Sequence, residues 1–168
     1  MAARVPGRVW LQVAVRCALI AGCVVLFASR FSFGMSAQKQ TCLPYSIYLI
    51  DKATSARTPT RGAIFAFRSR GLLPYFPDGS AFLKQMAGLP GDHVKVDGEG
   101  LRINDIPMGA LNPKILAATH RTAEQLARDE TVPPNEYLMI GTTPESYDGR
   151  YWGYVDASQI TARAYPLW

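Results

Sequence analysis

Charge is sparse in this chain and acid is sparser than base: 18% of its 168 residues are charged, 13 of them acidic against 18 basic, for a net charge of +5. The basic surplus forms no stripe with interleaved aromatics, and Arg4, Arg8 and Arg16 fall in or before an apolar run, which argues against nucleic acid as a partner. Cysteine is equally thin. Of Cys17, Cys23 and Cys42, the first two lie inside the apolar run, so the remainder of the chain has one thiol and no internal disulfide to staple it. His93 and His120 stand without the cysteine, histidine or acidic neighbours of a metal site, so neither metal nor cofactor is implied. Repeats and low-complexity segments are also missing, and the length leaves room for one domain of ordinary size beside the apolar run.

That run, residues 9–29, is apolar apart from Gln12, Arg16 and Ser29, and it suits one crossing of a bilayer core of about 30 Å. Arg16 costs about 2.5–3.5 kcal/mol at a helix centre, a cost its aliphatic neighbours offset or a shift of the span towards Phe33 relieves. Arg4 and Arg8 place the amino terminus in the cytoplasm and the body beyond the membrane. The expected organisation is a cytoplasmic amino terminus and anchor over 1–33 and an extracytoplasmic domain over 34–168. Two processing alternatives remain. The run Ile20-Ala21-Gly22-Cys23 has the form of a lipoprotein box, which would acylate Cys23, although the apolar run continues through Phe27; signal-peptide cleavage lacks an A-x-A site, with Met35-Ser36-Ala37 a poor substitute.

The body starts β-rich. Segments 45–51 and 62–67 are β-branched and aromatic runs bounded by turn formers; 72–80, with two prolines and Asp78-Gly79, reads as a loop; 81–87 reads as a strand. Segment 93–97 alternates with Val94 and Val96 inward, and Asp97-Gly98-Glu99-Gly100 turns it into a strand over 101–104. Spacing of Ile115, Leu116, Thr119, Ala123, Leu126 and Ala127 predicts a helical insertion over 114–128. Further strands are expected at 137–140 and 159–165.

Within 81–87, Lys84 lies among Phe82, Leu83, Gln85 and Met86, and the next carboxylate is Asp92. Burial lowers a lysine's pKa by up to about 3–5 units, which turns an ammonium into an amine able to accept a proton. The competing reading is an edge lysine that snorkels into water.

Three segments carry a resemblance: Cys42-Leu43-Pro44-Tyr45-Ser46-Ile47-Tyr48; Lys84 with Gly88-Leu89-Pro90-Gly91-Asp92; and Ser146-Tyr147-Asp148-Gly149-Arg150-Tyr151-Trp152-Gly153. In this order they resemble the type I signal peptidase family, serine/lysine proteases held at the membrane by an amino-terminal helix, and within it the conjugative-transfer peptidases of the TraF type, which mature pilin precursors. The resemblance implies a mostly β, signal-peptidase-like fold with a small helical insertion and one transmembrane helix. It also implies a single pass through the bacterial inner membrane with the catalytic domain in the periplasm. Lys84 matches the general base, Ser146 the serine that orients it, and Asp148 with Arg150 an ion pair that braces the site. The nucleophile departs from the family: Cys42 stands at the serine position. Ser46 replaces the branch's usual glycine, and 141–146 lacks the G-D-N of many relatives and is one residue short. The partners implied are an exported pro-pilin or other precursor, membrane lipid and other conjugative transfer proteins; Leu43, Pro44, Tyr45 and Phe82 are expected walls of a shallow pocket for small residues.

A serine needs its base at the moment of attack, whereas a cysteine, with a reference pKa near 8.5 against about 10.4 for lysine, can pass its proton beforehand. The oxyanion would meet the Cys42 N–H and a second donor, for which Gln40 and Thr41 are the nearest choices. Against these readings stand plainer ones. Cys42 can be a small buried hydrophobe, Ser36 a rival nucleophile without the proline two positions on, Asp148 and Arg150 an ordinary ion pair on one strand face, and the whole chain a binding or assembly protein on a peptidase fold that lost its serine.

Overall fold

The computed structural model describes residues 7–35, 42–53 and 57–168. Helix α1 (Gly7–Arg30) covers the apolar run with no buried residue, and among the described residues it is the one helix long and apolar enough to cross a membrane. It runs directly into β1 (Phe31–Met35), which pairs antiparallel with β2 (Ile47–Asp51). The junction is tied down: Arg30 pairs with the buried Asp51 at 3.1 Å, and Lys52 donates its N–H to Arg30 O and its Nζ to Ala28 O, both at 2.9 Å.

The body is mostly β, as expected. Strands β3 (Ile64–Arg68), β4 (Ala81–Gly88), β9 (Glu136–Ile140), β10 (Tyr154–Asp156) and β11 (Ile160–Pro166) join β1 and β2 in a seven-stranded antiparallel sheet of order β1-β2-β11-β3-β4-β9-β10. A second sheet of order β7-β6-β5-β8 is built from β5 (His93–Asp97), β6 (Gly100–Ile103), β7 (Ile106–Gly109) and β8 (Arg128–Thr131). The alternation in β5 is as read, Val94 and Val96 buried and His93 and Lys95 exposed. Four strands went unread: β1, which follows the helix without a break, and β7, β8 and β10. Between β6 and β7, Asn104 and Asp105 both adopt positive φ, 49° and 66°, which makes a tight hairpin turn out of residues that looked like a strand end. Charged β8 and three-residue β10 are held by the backbone of a neighbouring strand, a tertiary effect that overrides weak β propensity.

The helix expected over 114–128 is broken into two. Helix α2 (Pro113–Thr119) ends on His120 in the left-handed conformation, and α3 (Ala123–Leu126) starts from Thr122, whose hydroxyl and Gln125 form a capping box. The last residue of the expected helix, Arg128, belongs to β8.

Asp92, in the turn after β4, fixes the crossover between the sheets. Burial pushes its carboxyl up, but the Leu89 N–H at 2.6 Å, Asn104 Nδ2 at 2.8 Å and the Arg61 guanidinium at 2.7 Å outweigh this and hold it below the ordinary carboxylate range. A depressed pKa contributes stability that is present above the unfolded value, about 4, and lost as pH falls through the folded one. Asp92→Asn should therefore lose about 1–3 kcal/mol at pH 7 and flatten the acid limb of stability below that value. Urea unfolding midpoints of the full chain, taken from pH 7 to pH 2 or so, check both.

Candidate active site

Strand β4 sorts its side chains by alternation, with Phe82, Lys84 and Met86 on one face and Leu83 and Gln85 on the other. Lys84 stands opposite Phe65 of β3, and its face packs into the cluster of Phe65, Phe67, Met86, Tyr137, Met139, Val155 and Ile160. Lys84 is fully buried rather than snorkelling. Its Nζ donates to Ser146 Oγ at 2.6 Å, and Ser146 is fully buried too. Among the described residues no carboxylate lies within ion-pair distance of Lys84.

Ser146 sits in the loop between β9 and α4 (Gly149–Trp152), and Asp148 caps that helix instead of lying on a strand with Arg150. One oxygen of Asp148 accepts from Arg150 N at 3.1 Å and Arg150 Nε at 2.9 Å; the other accepts from Gly141 N and Arg150 Nη2, both at 2.8 Å. Burial pulls the Arg150 pKa down, yet the hydrogen-bonded Asp148 carboxylate outweighs it and holds the guanidinium above its ordinary value. Arg150 also donates to Ala110 O at 3.0 Å, which ties the loop to the segment leaving β7.

Half-buried Cys42 meets this loop through its backbone, its carbonyl accepting the Thr142 N–H at 2.9 Å. Leu43 behind it is buried with Tyr48, Ile64 and Ala164, and the N–H groups of Ser46 and Ile47 donate to Trp168 O at 2.5 and 2.9 Å. Gly141 is the pivot, and sequence reading did not single it out. A methyl there would land on Ser146 Oγ and 2.5 Å from Cys42 O, so both lie against its Cα. Gly141→Ala must push the loop or the Cys42 segment away; the expected result is a loss of at least about 1–3 kcal/mol from overpacking, read from urea unfolding, together with weaker activity.

The structure thus brings Lys84, Ser146, Asp148, Arg150 and the Cys42 backbone into one place. It does not bring the four expected pocket walls together. Leu43, Pro44 and Tyr45 line a cavity of about 390 Å³ with Ile64 and Gln85, on the face of β4 opposite Lys84. Phe82 is on the Lys84 face, stacked on Phe67 at 5.6 Å and edge-on to Phe76 at 5.0 Å. Phe76 continues to Tyr147 at 6.1 Å, and Tyr147 to Tyr75 and Tyr151 at 5.7 and 5.6 Å. Ser36, Gln40 and Thr41 lie outside the described residues. Asn112 was also missed: its Nδ2 donates to Pro144 O at 2.9 Å and its N–H to Tyr151 Oη at 2.8 Å, bracing the Ser146 loop from α2.

A family profile described as signal peptidase, peptidase S26, matches residues 8–168. A probable signal peptidase I-2 of Synechocystis is 28% identical over 166 residues, 95% of this chain and 73% of that protein. Signal peptidase I of Leptolyngbya laminosa is 33% identical over 109 residues, and here the match spans 63% of this chain and only 51% of the relative. Among solved structures, a signal peptidase I from Enterococcus faecalis is 26% identical and covers 63% of this chain and 96% of its own, with a TM-score of 0.40.

Proposed function

The chain belongs to the signal peptidase family, peptidase S26, and on that premise we propose that it is a membrane-anchored endopeptidase that cuts exported precursors, with Cys42 as nucleophile and Lys84 as general base. The observation that carries this reading is the buried Lys84 side chain, without a carboxylate partner among the described residues and held by Ser146 Oγ at 2.6 Å. In the proposed reaction the Cys42 thiol gives its proton to Lys84 and the sulfur attacks the scissile carbonyl. Lys84 then passes that proton to the leaving amine, which leaves a thioester. Water attacks the thioester in the second half and gives a proton to Lys84, which passes it to the departing sulfur, so that the carboxylic acid product leaves and the thiol and the neutral lysine are restored. Ser146 orients the amine, Asp148 and Arg150 hold the Ser146 loop, and buried Leu43 fixes the turn that carries Cys42. Helix α1, coupled to β2 through Arg30 and Asp51, serves as the anchor that keeps the site at the membrane surface. Because the basic residues ahead of the span favour a cytoplasmic amino terminus, the body faces the periplasm in this reading.

A narrower form takes a conjugative pilin precursor as substrate. Its support is the likeness of residues 42–48 and 146–153 to the TraF-type peptidases, and with an amine in place of water the same thioester would join the pilin's ends.

The test is processing of a co-expressed precursor in membranes by the parent, Cys42→Ala and Cys42→Ser. Processing by the parent and its loss in Cys42→Ala supports the cysteine peptidase, and partial retention in Cys42→Ser supports the inherited lysine base. If Cys42→Ala processes as well as the parent, the nucleophile is elsewhere and Ser36 is next. A parent that binds precursors yet cuts none moves the reading to a binding or assembly protein of the transfer apparatus.

A further inference from the structure

Beside the Ser146 loop opens a groove that the chemistry above does not use. It has a volume of about 450 Å³ and is lined by Tyr75, Phe76, Ile115, Ala118, Glu145 and Tyr147 among others. Its walls come from three distant stretches: the loop before β4, one side of α2, and the loop that carries Ser146. Two of those residues, Glu145 and Tyr147, are the immediate chain neighbours of Ser146, whose hydroxyl holds Lys84. The Tyr75 hydroxyl donates to Thr119 O at 3.0 Å and closes the loop onto the end of α2. Burial raises the Tyr147 pKa, which keeps its ring a neutral wall over the working pH range.

Resting on the peptidase reading above, we propose that this groove is a specificity subsite for one bulky apolar or aromatic side chain of the precursor, a few residues from the scissile bond. The occupant follows from continuity. The loop over 142–147 joins the two places: its Thr142 N–H meets the Cys42 carbonyl at 2.9 Å and its Glu145 and Tyr147 wall the groove, so an extended polypeptide that is cut at Cys42 and runs along this loop, advancing about 3.3 Å per residue, reaches the groove within a few residues of the cut. The size lies in the range of a preformed small-ligand site, wide enough for an indole or phenyl ring against Phe76 and Tyr147. Such a ring gains both apolar burial and edge or offset contact with aromatic walls. The exposed ends of Lys114 and Glu145 at the rim flank the backbone of the incoming chain with one charge of each sign. Small residues at the cut and a bulky one displaced from it would then be read by separate surfaces.

The experiment measures binding and cleavage separately. Fluorescein-labelled alanine-rich decapeptides, each with one phenylalanine moved through the sequence, are titrated by anisotropy against the full chain carrying Cys42→Ala in detergent micelles, and against the same protein with Ala118→Trp. Ala118 is exposed on α2, and circular dichroism melting confirms that the second variant folds. The expected result is at least tenfold tighter binding with phenylalanine at one or two adjacent positions, a preference reduced to less than twofold by Ala118→Trp. Equal binding of all peptides, a preference that survives Ala118→Trp, or one reproduced by empty micelles overturns the subsite. The same peptides are offered to the parent for cleavage. Preference in binding without cleavage leaves the subsite standing and removes the peptidase, whereas cleavage without preference does the reverse.

Discussion

Lys84→Met is expected to lower precursor processing by about 10²–10⁴-fold while the unfolding midpoint stays level or rises. The two halves of that result come from the same observation. Lys84 is fully buried against Phe65 and Met86, and among the described residues it has one hydrogen bond, to Ser146 Oγ, and no carboxylate partner. A polar head in that position is costly to desolvate and is weakly repaid, so an apolar chain of similar length relieves the fold. Methionine fills the space without a new cavity and leaves only the Ser146 hydroxyl without its partner, a cost of about 1–3 kcal/mol that the relief opposes. A lysine kept there for packing would lose stability and little activity when replaced; one kept for chemistry does the opposite. Processing assays in membranes and urea unfolding of the same preparations read both quantities. Unchanged processing in a folded Lys84→Met protein removes Lys84 from the reaction.

Lys84 was half legible: its uncharged neighbours excluded a local carboxylate, but the same stretch left snorkelling open until the structure showed the side chain buried. Strand β5 was legible because its valines alternate with polar residues, and a one-residue slip would reverse its buried face. Local pattern could not reach β8, whose sequence Arg-Asp-Glu-Thr has no apolar side and which exists because β5 offers it an edge. It also missed the break at His120, although Thr122 followed by Gln125 three residues later spells a helix start. Asp148 and Arg150 could be paired from the sequence by their spacing, but a spacing of two suggested a strand face. The carboxylate instead caps α4, and that geometry lets it reach Gly141 as well. The groove of Tyr75, Ile115 and Tyr147 had no sequence signal of its own. Its walls are up to 72 residues apart in a chain whose periodicities report only immediate neighbours.

Asp148→Asn carries the largest stability effect. The change is isosteric, so packing hardly moves, but the carboxylate it replaces is fully buried and accepts four hydrogen bonds, two from the Arg150 side chain, one from the Arg150 N–H and one from Gly141 N. An amide offers one acceptor oxygen and turns two N–H groups towards partners that are themselves donors. Whichever way it is flipped, either Gly141 N and Arg150 Nη2 or Arg150 N and Nε lose their acceptor, and the buried guanidinium loses its countercharge. Removing one partner of a buried ion pair typically costs about 3–5 kcal/mol, and the expected loss here falls in that range. Because Gly141 lies against both Ser146 Oγ and the Cys42 carbonyl, release of its N–H also loosens the relation between the Cys42 segment and the lysine's partner, so processing should fall with stability. Arg150→Met in the Asp148→Leu background separates the causes. With both charges gone, stability should recover part of the loss seen when only one is removed, whereas processing should not, since nothing then holds Gly141 N. Urea unfolding gives the coupling between the two positions, and a double variant as unstable as the sum of its singles would mean that the pair contributes nothing to the fold beyond its separate contacts.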